Sequence, residues 1–167
     1  MGKKIMSLAP VLPNAPRVLI LGSIPGALSL EKQEYYGNPR NHFWGILFAL
    51  FNQESLASYQ DKIAFVKDRR IALWDSIGTC YREGSLDANI TEEVPNDIVR
   101  LVHDYPTIKL IACNGGKSYQ TFNKNFALGD LGDVKVLKLP STSPIPGRYT
   151  KTFDGKVEEW KQLLKYL

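Results

Sequence analysis

The sequence predicts a single α/β domain of three layers, with a central four-stranded, mainly parallel sheet between helices. Three observations lead there. A chain of 167 residues falls in the size range of one compact domain, large enough to bury its own core. Hydrophobic residues make up 44% and charged residues 23%, a globular composition and not a disordered one. Short apolar runs alternate with stretches of helical periodicity, as parallel strands joined by crossover helices require.

Each element has its own signal. Arg17-Val18-Leu19-Ile20-Leu21-Gly22 reads as a buried first strand ending in a turn. Asn41 to Phe51 carries apolar residues at 43, 44, 46, 47, 50 and 51, the spacing of an amphipathic helix. Ile71-Ala72-Leu73-Trp74 is a second strand. Asn96 to His103 is a short helix begun by Pro95-Asn96-Asp97. Lys109 to Cys113 is a third strand, Gly116 to Phe126 a helix, and Lys135 to Leu139 a fourth strand stopped by Pro140. Thr152 to Leu167 is expected to close the chain as one amphipathic helix. In such sheets ligands sit beyond the carboxyl ends of the strands, so the segments after Leu21 and Leu139 are the ones to inspect.

Charge and cysteine content narrow the classes. No apolar run approaches the roughly 20 residues a membrane helix needs. The basic Met1 to Met6 leads into Pro10, Pro13 and Pro16, so no secretory signal is expected. Cys80 and Cys113 stand outside any CxxC pair, which points to reduced thiols in a cytoplasmic protein, with no disulfide, metal or cofactor. The net charge of +4 suits a polyanionic partner, and its placement says more. Tyr35 to Gln53 contains Arg40 and His42 and no acid; Val134 to Phe153 contains Lys135, Lys138, Arg148 and Lys151 and no acid.

The first candidate loop is Gly22-Ser23-Ile24-Pro25-Gly26. Two glycines flanking a proline make a tight turn where backbone N–H groups can meet an oxyanion. Neither a dinucleotide fingerprint nor a Walker loop is present. Next comes Tyr35-Tyr36-Gly37-Asn38-Pro39-Arg40-Asn41-His42-Phe43-Trp44. Asn41 reads either as a helix N-cap or as an amide that holds a water. Tyr35 and Tyr36 read as an aromatic platform for an extruded base and not as helix core. The second loop, Leu139-Pro140-Ser141-Thr142-Ser143-Pro144-Ile145-Pro146-Gly147-Arg148-Tyr149, packs three hydroxyls and three prolines into seven residues. It can grip phosphates and push Pro144 or Ile145 into a base stack.

Together these segments resemble the uracil-DNA glycosylase superfamily, most closely its hypoxanthine (deoxyinosine) DNA glycosylase branch, which is related to the mismatch-specific uracil and thymine glycosylases. The likeness runs through five ordered stretches: Gly22 to Gly26 with Ser29-Leu30, Tyr35 to Trp44, Ala72-Leu73-Trp74-Asp75 with Arg82 to Asp87, Asn114-Gly115-Gly116-Lys117, and Leu139 to Pro144. It implies base extrusion from DNA and hydrolysis of the glycosidic bond without a covalent lysine intermediate. Where the mismatch-specific relatives carry a catalytic Asn, this chain has Ile24, and Asn41 is the natural replacement. The same matching makes Ser23, Ile24, Pro25, Gly26, Tyr36 and Asn114 the base-binding set. Asn41 and Asp75 form the catalytic set, Asp75 being a reserve base with Asp87 behind it. Arg40, Ser141, Thr142, Ser143, Pro144, Ile145, Arg148 and Lys151 are expected to bind DNA. Some branches hold an iron–sulfur cluster through four cysteines; two cysteines do not suffice. The expected protein is a cytoplasmic monomer. A uracil or mismatch-specific glycosylase and a non-catalytic nucleic-acid-binding module are the alternatives.

Overall fold

The computed structural model describes residues 2–144 and 150–167. Four strands form the central sheet: β2 (Val18–Gly22), β3 (Ile71–Asp75), β6 (Leu110–Asn114) and β7 (Lys135–Leu139). Their order is β3-β2-β6-β7, and every pairing is parallel. β2 lies at the centre, and Val18, Leu19, Ile20 and Leu21 are all fully buried. Side chains alternate across a strand, so Val18 and Ile20 enter one apolar layer while Leu19 and Leu21 enter the other. The first layer belongs to α2 (Phe43–Leu50), α3 (Tyr59–Asp68) and α6 (Phe153–Trp160). The second belongs to α4 (Ile98–Asp104) and α5 (Gly116–Asn125). The predicted three layers are present.

Two regions depart from the sequence reading. A second sheet, antiparallel and ordered β1-β4-β5, joins β1 (Lys3–Met6), β4 (Ile77–Arg82) and β5 (Thr91–Pro95). β1 and β5 are short edge strands, Lys-Lys-Ile-Met and Thr-Glu-Glu-Val-Pro. Charged edges protect a sheet from further pairing, and they also hide its apolar period. Only Ser76 separates β3 from β4, so one continuous stretch serves both sheets. The sequence reading also assigns no element to α1 (Ala27–Lys32) or to α3, whose Ser58 cap accepts from the Asp61 N–H. The C-terminal segment is not one helix either. It is α6 followed by a tighter 3₁₀ run over Lys161–Tyr166.

Candidate active site

The parallel register builds the site. Gly22 pairs with Asp75, and Asn114 pairs with Leu139, so the carboxyl ends of all four strands finish in one row. Each strand then releases a loop into the same space. The result is a cleft of about 640 Å³ bordered by residues 22–29, Tyr35, Tyr36, Asn41, Asp75, Asn114 and residues 141–144.

Asp75 stands at the cleft floor and is only 4% exposed. A Cβ on Gly22 would lie 2.5 Å from Asp75 Oδ1 and 3.2 Å from Tyr36 Oη. Glycine is therefore required at 22 for close approach. The other carboxylate oxygen, Oδ2, is buried with no hydrogen-bond partner among the described residues. Burial, and secondarily the charge of Asp87, push the Asp75 carboxyl up to about 7. Such a group exchanges protons near neutral pH, as a general base must.

The antiparallel sheet braces the first loop. Arg82, 2% exposed, donates from Nη2 to Pro25 O (2.6 Å) and from Nε to Gly84 O (2.9 Å). Ser85 Oγ accepts from the Ala27 N–H at 2.9 Å, and Ser23 Oγ donates to Asp87 Oδ1 at 3.0 Å. Ile24 borders the cleft, yet it is 7% exposed and packs with Ile5, Ile77 and Cys80. Arg82 and Ser85 belong to a stretch that carries the family resemblance, but their bracing of the first loop has no signal of its own, because surface arginines and serines are far commoner than such ties.

The two tyrosines divide. Tyr35 is core and not platform: it is buried, and its hydroxyl donates to Ala9 O at 2.8 Å. Buried tyrosines need such a partner, and the carbonyls of the chain's proline-rich start supply it. Tyr36, which borders the cleft as Tyr35 does, is less buried. One ring face stacks on Phe43 with centroids 3.8 Å apart. Its backbone has φ of 53°, a left-handed conformation that costs a bulky residue about 1–3 kcal/mol. Burial and then the Asp75 charge raise its phenol pKa.

Asn114 is occupied with the second loop. Its Oδ1 accepts from the Thr142 N–H (3.0 Å), and its Nδ2 donates to Thr142 Oγ1 (3.0 Å) and Tyr36 Oη (3.3 Å). Thr142 is 1% exposed, so its hydroxyl latches the loop from within, while Ser141 is exposed and Ser143 and Pro144 are half-buried. Gly115, at φ 93°, takes the turn that lets the loop pass, since a Cβ there would meet Ser141 Cβ at 3.0 Å. Asn41 borders the cleft with its Oδ1 accepting from the Phe43 N–H at 2.9 Å. The residue in the N-cap position is His42, so Asn41 closes the turn before the helix. A carbonyl oxygen has two lone pairs, and this bond uses one of them.

Arg40 is exposed at the cleft mouth. Lys151 is paired with Glu159 at 3.5 Å and does not border the cleft. Ile145 and Arg148 lie outside the described residues. Among the described residues no three His, Cys, Asp or Glu side chains gather as a metal site.

A parallel sheet covered on both faces, with a cleft beyond its carboxyl edge walled by a stacked tyrosine and a buried carboxyl, is the arrangement of an α/β enzyme domain. The family model of the uracil DNA glycosylase superfamily matches residues 9–165, and the chain belongs to that superfamily. It is 35% identical over 159 residues to a hypoxanthine DNA glycosylase of Methanosarcina acetivorans, covering 93% of this chain and 95% of the relative. A protein of the same name from Methanosarcina barkeri is 37% identical over 110 residues, covering 65% and 70%. Among solved structures, the solution NMR structure of a Methanosarcina acetivorans protein provisionally named a uracil DNA glycosylase superposes with a TM-score of 0.81. It shares 32% identity and covers 98% of each chain.

Proposed function

We propose that this chain is a monofunctional DNA glycosylase that excises a deaminated base, hypoxanthine first, from DNA. The observation that supports this best is the meeting of Asn41, Tyr36 and the Asp75 carboxyl, whose Oδ2 has no partner among the described residues, at one cleft. The naming of both Methanosarcina relatives as hypoxanthine DNA glycosylases favours the substrate. So does Ile24, which replaces a water-holding amide and packs among Ile5, Ile77 and Cys80.

In this reading an extruded base stacks on the face of Tyr36 that Phe43 leaves open, which repays part of the cost of unstacking. The C1′–N bond lengthens and the sugar takes on oxocarbenium character, as in other glycoside cleavages. The base departs with the bond's electron pair, and donors of the Ser23 to Gly26 turn stabilise that charge. Asn41 orients a water whose oxygen bonds to C1′. The proton this water loses passes to the ionised Asp75 carboxylate, and the departed base takes a proton from solvent. Ser141 and Ser143 contact phosphates, and Pro144 reaches toward the stack.

The deciding experiment uses duplex oligonucleotides carrying deoxyinosine, uracil or xanthine at one position, treated with substoichiometric protein and then alkali. Strand breaks at deoxyinosine are expected. Breaks at uracil alone would replace the substrate while keeping the chemistry. Mobility shifts without breaks at any lesion would make the protein a binding module. We take the active form to be a monomer, which light scattering with and without DNA checks.

A further inference from the structure

The cleft chemistry makes no use of a buried ionisable pair behind it. Lys156, on α6, is 2% exposed, and its Nζ lies 3.2 Å from His42 Nδ1. A buried ammonium needs acceptors. Among the described residues no carboxylate stands within ion-pair distance of Lys156: Glu158 and Glu159 of the same helix are paired with Lys161 and Lys151, and α2 carries no charged side chain. The imidazole Nδ1 serves as that acceptor when the ring is neutral with its proton on Nε2.

His42 joins both halves of the site. It follows Asn41 directly, and its backbone N–H donates to Thr142 O at 3.0 Å. Thr142 is the residue that Asn114 holds by two further bonds. The same helix holds the loop's start, where Trp160 Nε1 donates to Pro140 O at 2.9 Å. The Phe153 ring meets His42 edge-on, with centroids 5.4 Å apart, and seats against Gly45, where a Cβ would come within 3.2 Å.

We propose that Lys156 and His42 are a positioning pair: through the Lys156–His42 hydrogen bond, α6 locks the second site loop to the residue beside Asn41, and so fixes the water-holding amide relative to the phosphate-binding hydroxyls. Neither residue touches the reacting atoms. The consequence for excision rests on the glycosylase reading; the lock itself does not. Protonating His42 would set two cations 3.2 Å apart and open the lock. In keeping with this, burial and then the Lys156 charge hold the His42 imidazole below its usual range.

Lys156→Met tests the pair, because methionine keeps an unbranched apolar stem and removes the charge. Three quantities are read: amide exchange at His42 and Thr142 by NMR, titration of the His42 ring, and single-turnover excision at pH 8. Exchange at the His42 amide should speed up at least tenfold. The ring midpoint should move up, since one cause of its depression is gone while burial remains. Excision should slow about tenfold or more, as small misplacements of a reactant do. The melting temperature should hold or rise, because an apolar isostere spares the cost of a buried charge. His42→Asn, whose Oδ1 stands where Nδ1 stands, should recover the protection and rate that His42→Ala loses. Wild-type exchange and an unmoved ring midpoint in Lys156→Met would overturn the lock. Faster exchange with unaltered excision would overturn its link to catalysis. A wild-type protein that excises nothing would defeat the glycosylase reading alone, since exchange and titration still report on the pair.

Discussion

Replacing Asp75 by Asn keeps the shape of the buried carboxyl and removes its charge, which makes the variant a direct measure of what that charge costs. Each tenfold change in proton affinity is worth about 1.4 kcal/mol. A carboxyl moved from 3.8 to about 7 therefore corresponds to a difference of roughly 4 kcal/mol. The sign follows from proton counts. Between these values the folded protein binds the proton and the unfolded chain does not, so raising the pH favours unfolding. The loss starts near pH 4 and is complete above about 7. Asp75→Asn lacks this titration, so it should gain on the wild type as pH rises. Its amide also needs partners, and an unmet donor costs about 1–3 kcal/mol. The net gain at pH 8 is thus on the order of 1–3 kcal/mol, or several degrees of melting temperature at about 2–4 °C per kcal/mol.

The assay is urea unfolding of both proteins at pH 5 and pH 8, followed by single-turnover excision over the same range. The variant should be the more stable at pH 8 and lose that advantage at pH 5. Wild-type excision should climb with pH through about 7, and the variant should be slower by about 10²-fold or more with no such climb. A stability difference identical at both pH values would refute the raised carboxyl. A variant with the wild-type rate profile would refute its role as base.

Three other outcomes are expected. Asn41→Ala should slow single-turnover excision by about 10²-fold with little change in lesion affinity; a loss of about 1 kcal/mol in stability with normal excision would reduce Asn41 to a cap for the Phe43 N–H. Gly22→Ala should displace the Asp75 carboxyl, which would lie 2.5 Å from the new methyl, costing about 1–3 kcal/mol of stability and most of the activity. Wild-type kinetics would show that the carboxyl's position is immaterial. Arg40→Ala should weaken damaged and undamaged duplex alike and flatten the slope of log K against log salt by about 0.9. A loss confined to damaged DNA would place Arg40 on the base.

The parallel sheet was legible because β2, β3 and β6 are nearly continuous apolar runs, as burial on both faces requires, while the edge strand β7, Lys-Val-Leu-Lys-Leu, was marked by the proline that follows it. The two site loops were legible because Gly and Pro cluster where the chain must turn at the end of a strand. What stayed hidden has a common physical cause: the residues concerned act against their usual exposure. Arg82 and Lys156 are each 2% exposed, although arginine and lysine are almost never fully buried. Tyr35 looked like a surface ring because its neighbours are polar, yet carbonyls distant in sequence satisfy its hydroxyl. Thr142 looked like a phosphate ligand because it stands between two serines, and only the approach of Asn114 turns it inward.

The exchange of Ile24 for an amide also has a reason in the fold. The first loop leans on the antiparallel sheet, where Ile24 joins Ile5, Ile77 and Cys80 and where a polar side chain would lack partners. An apolar residue there secures the turn, together with Arg82 and Ser85, but leaves it without a side chain to hold water. In the proposed mechanism that task falls to Asn41, in the turn just before α2, a helix anchored by Phe43, Trp44, Ile46 and Leu47. In that reading the amide moves from the first turn to the turn whose Phe43 N–H it caps, on the same cleft as the Asp75 carboxyl at the end of β3. A double variant separates the two arrangements. Restoring the amide with Ile24→Asn in an Asn41→Ala background should fail to recover excision, because position 24 packs into the small sheet. Recovery to the wild-type rate would show that the turn can present an amide to the cleft after all.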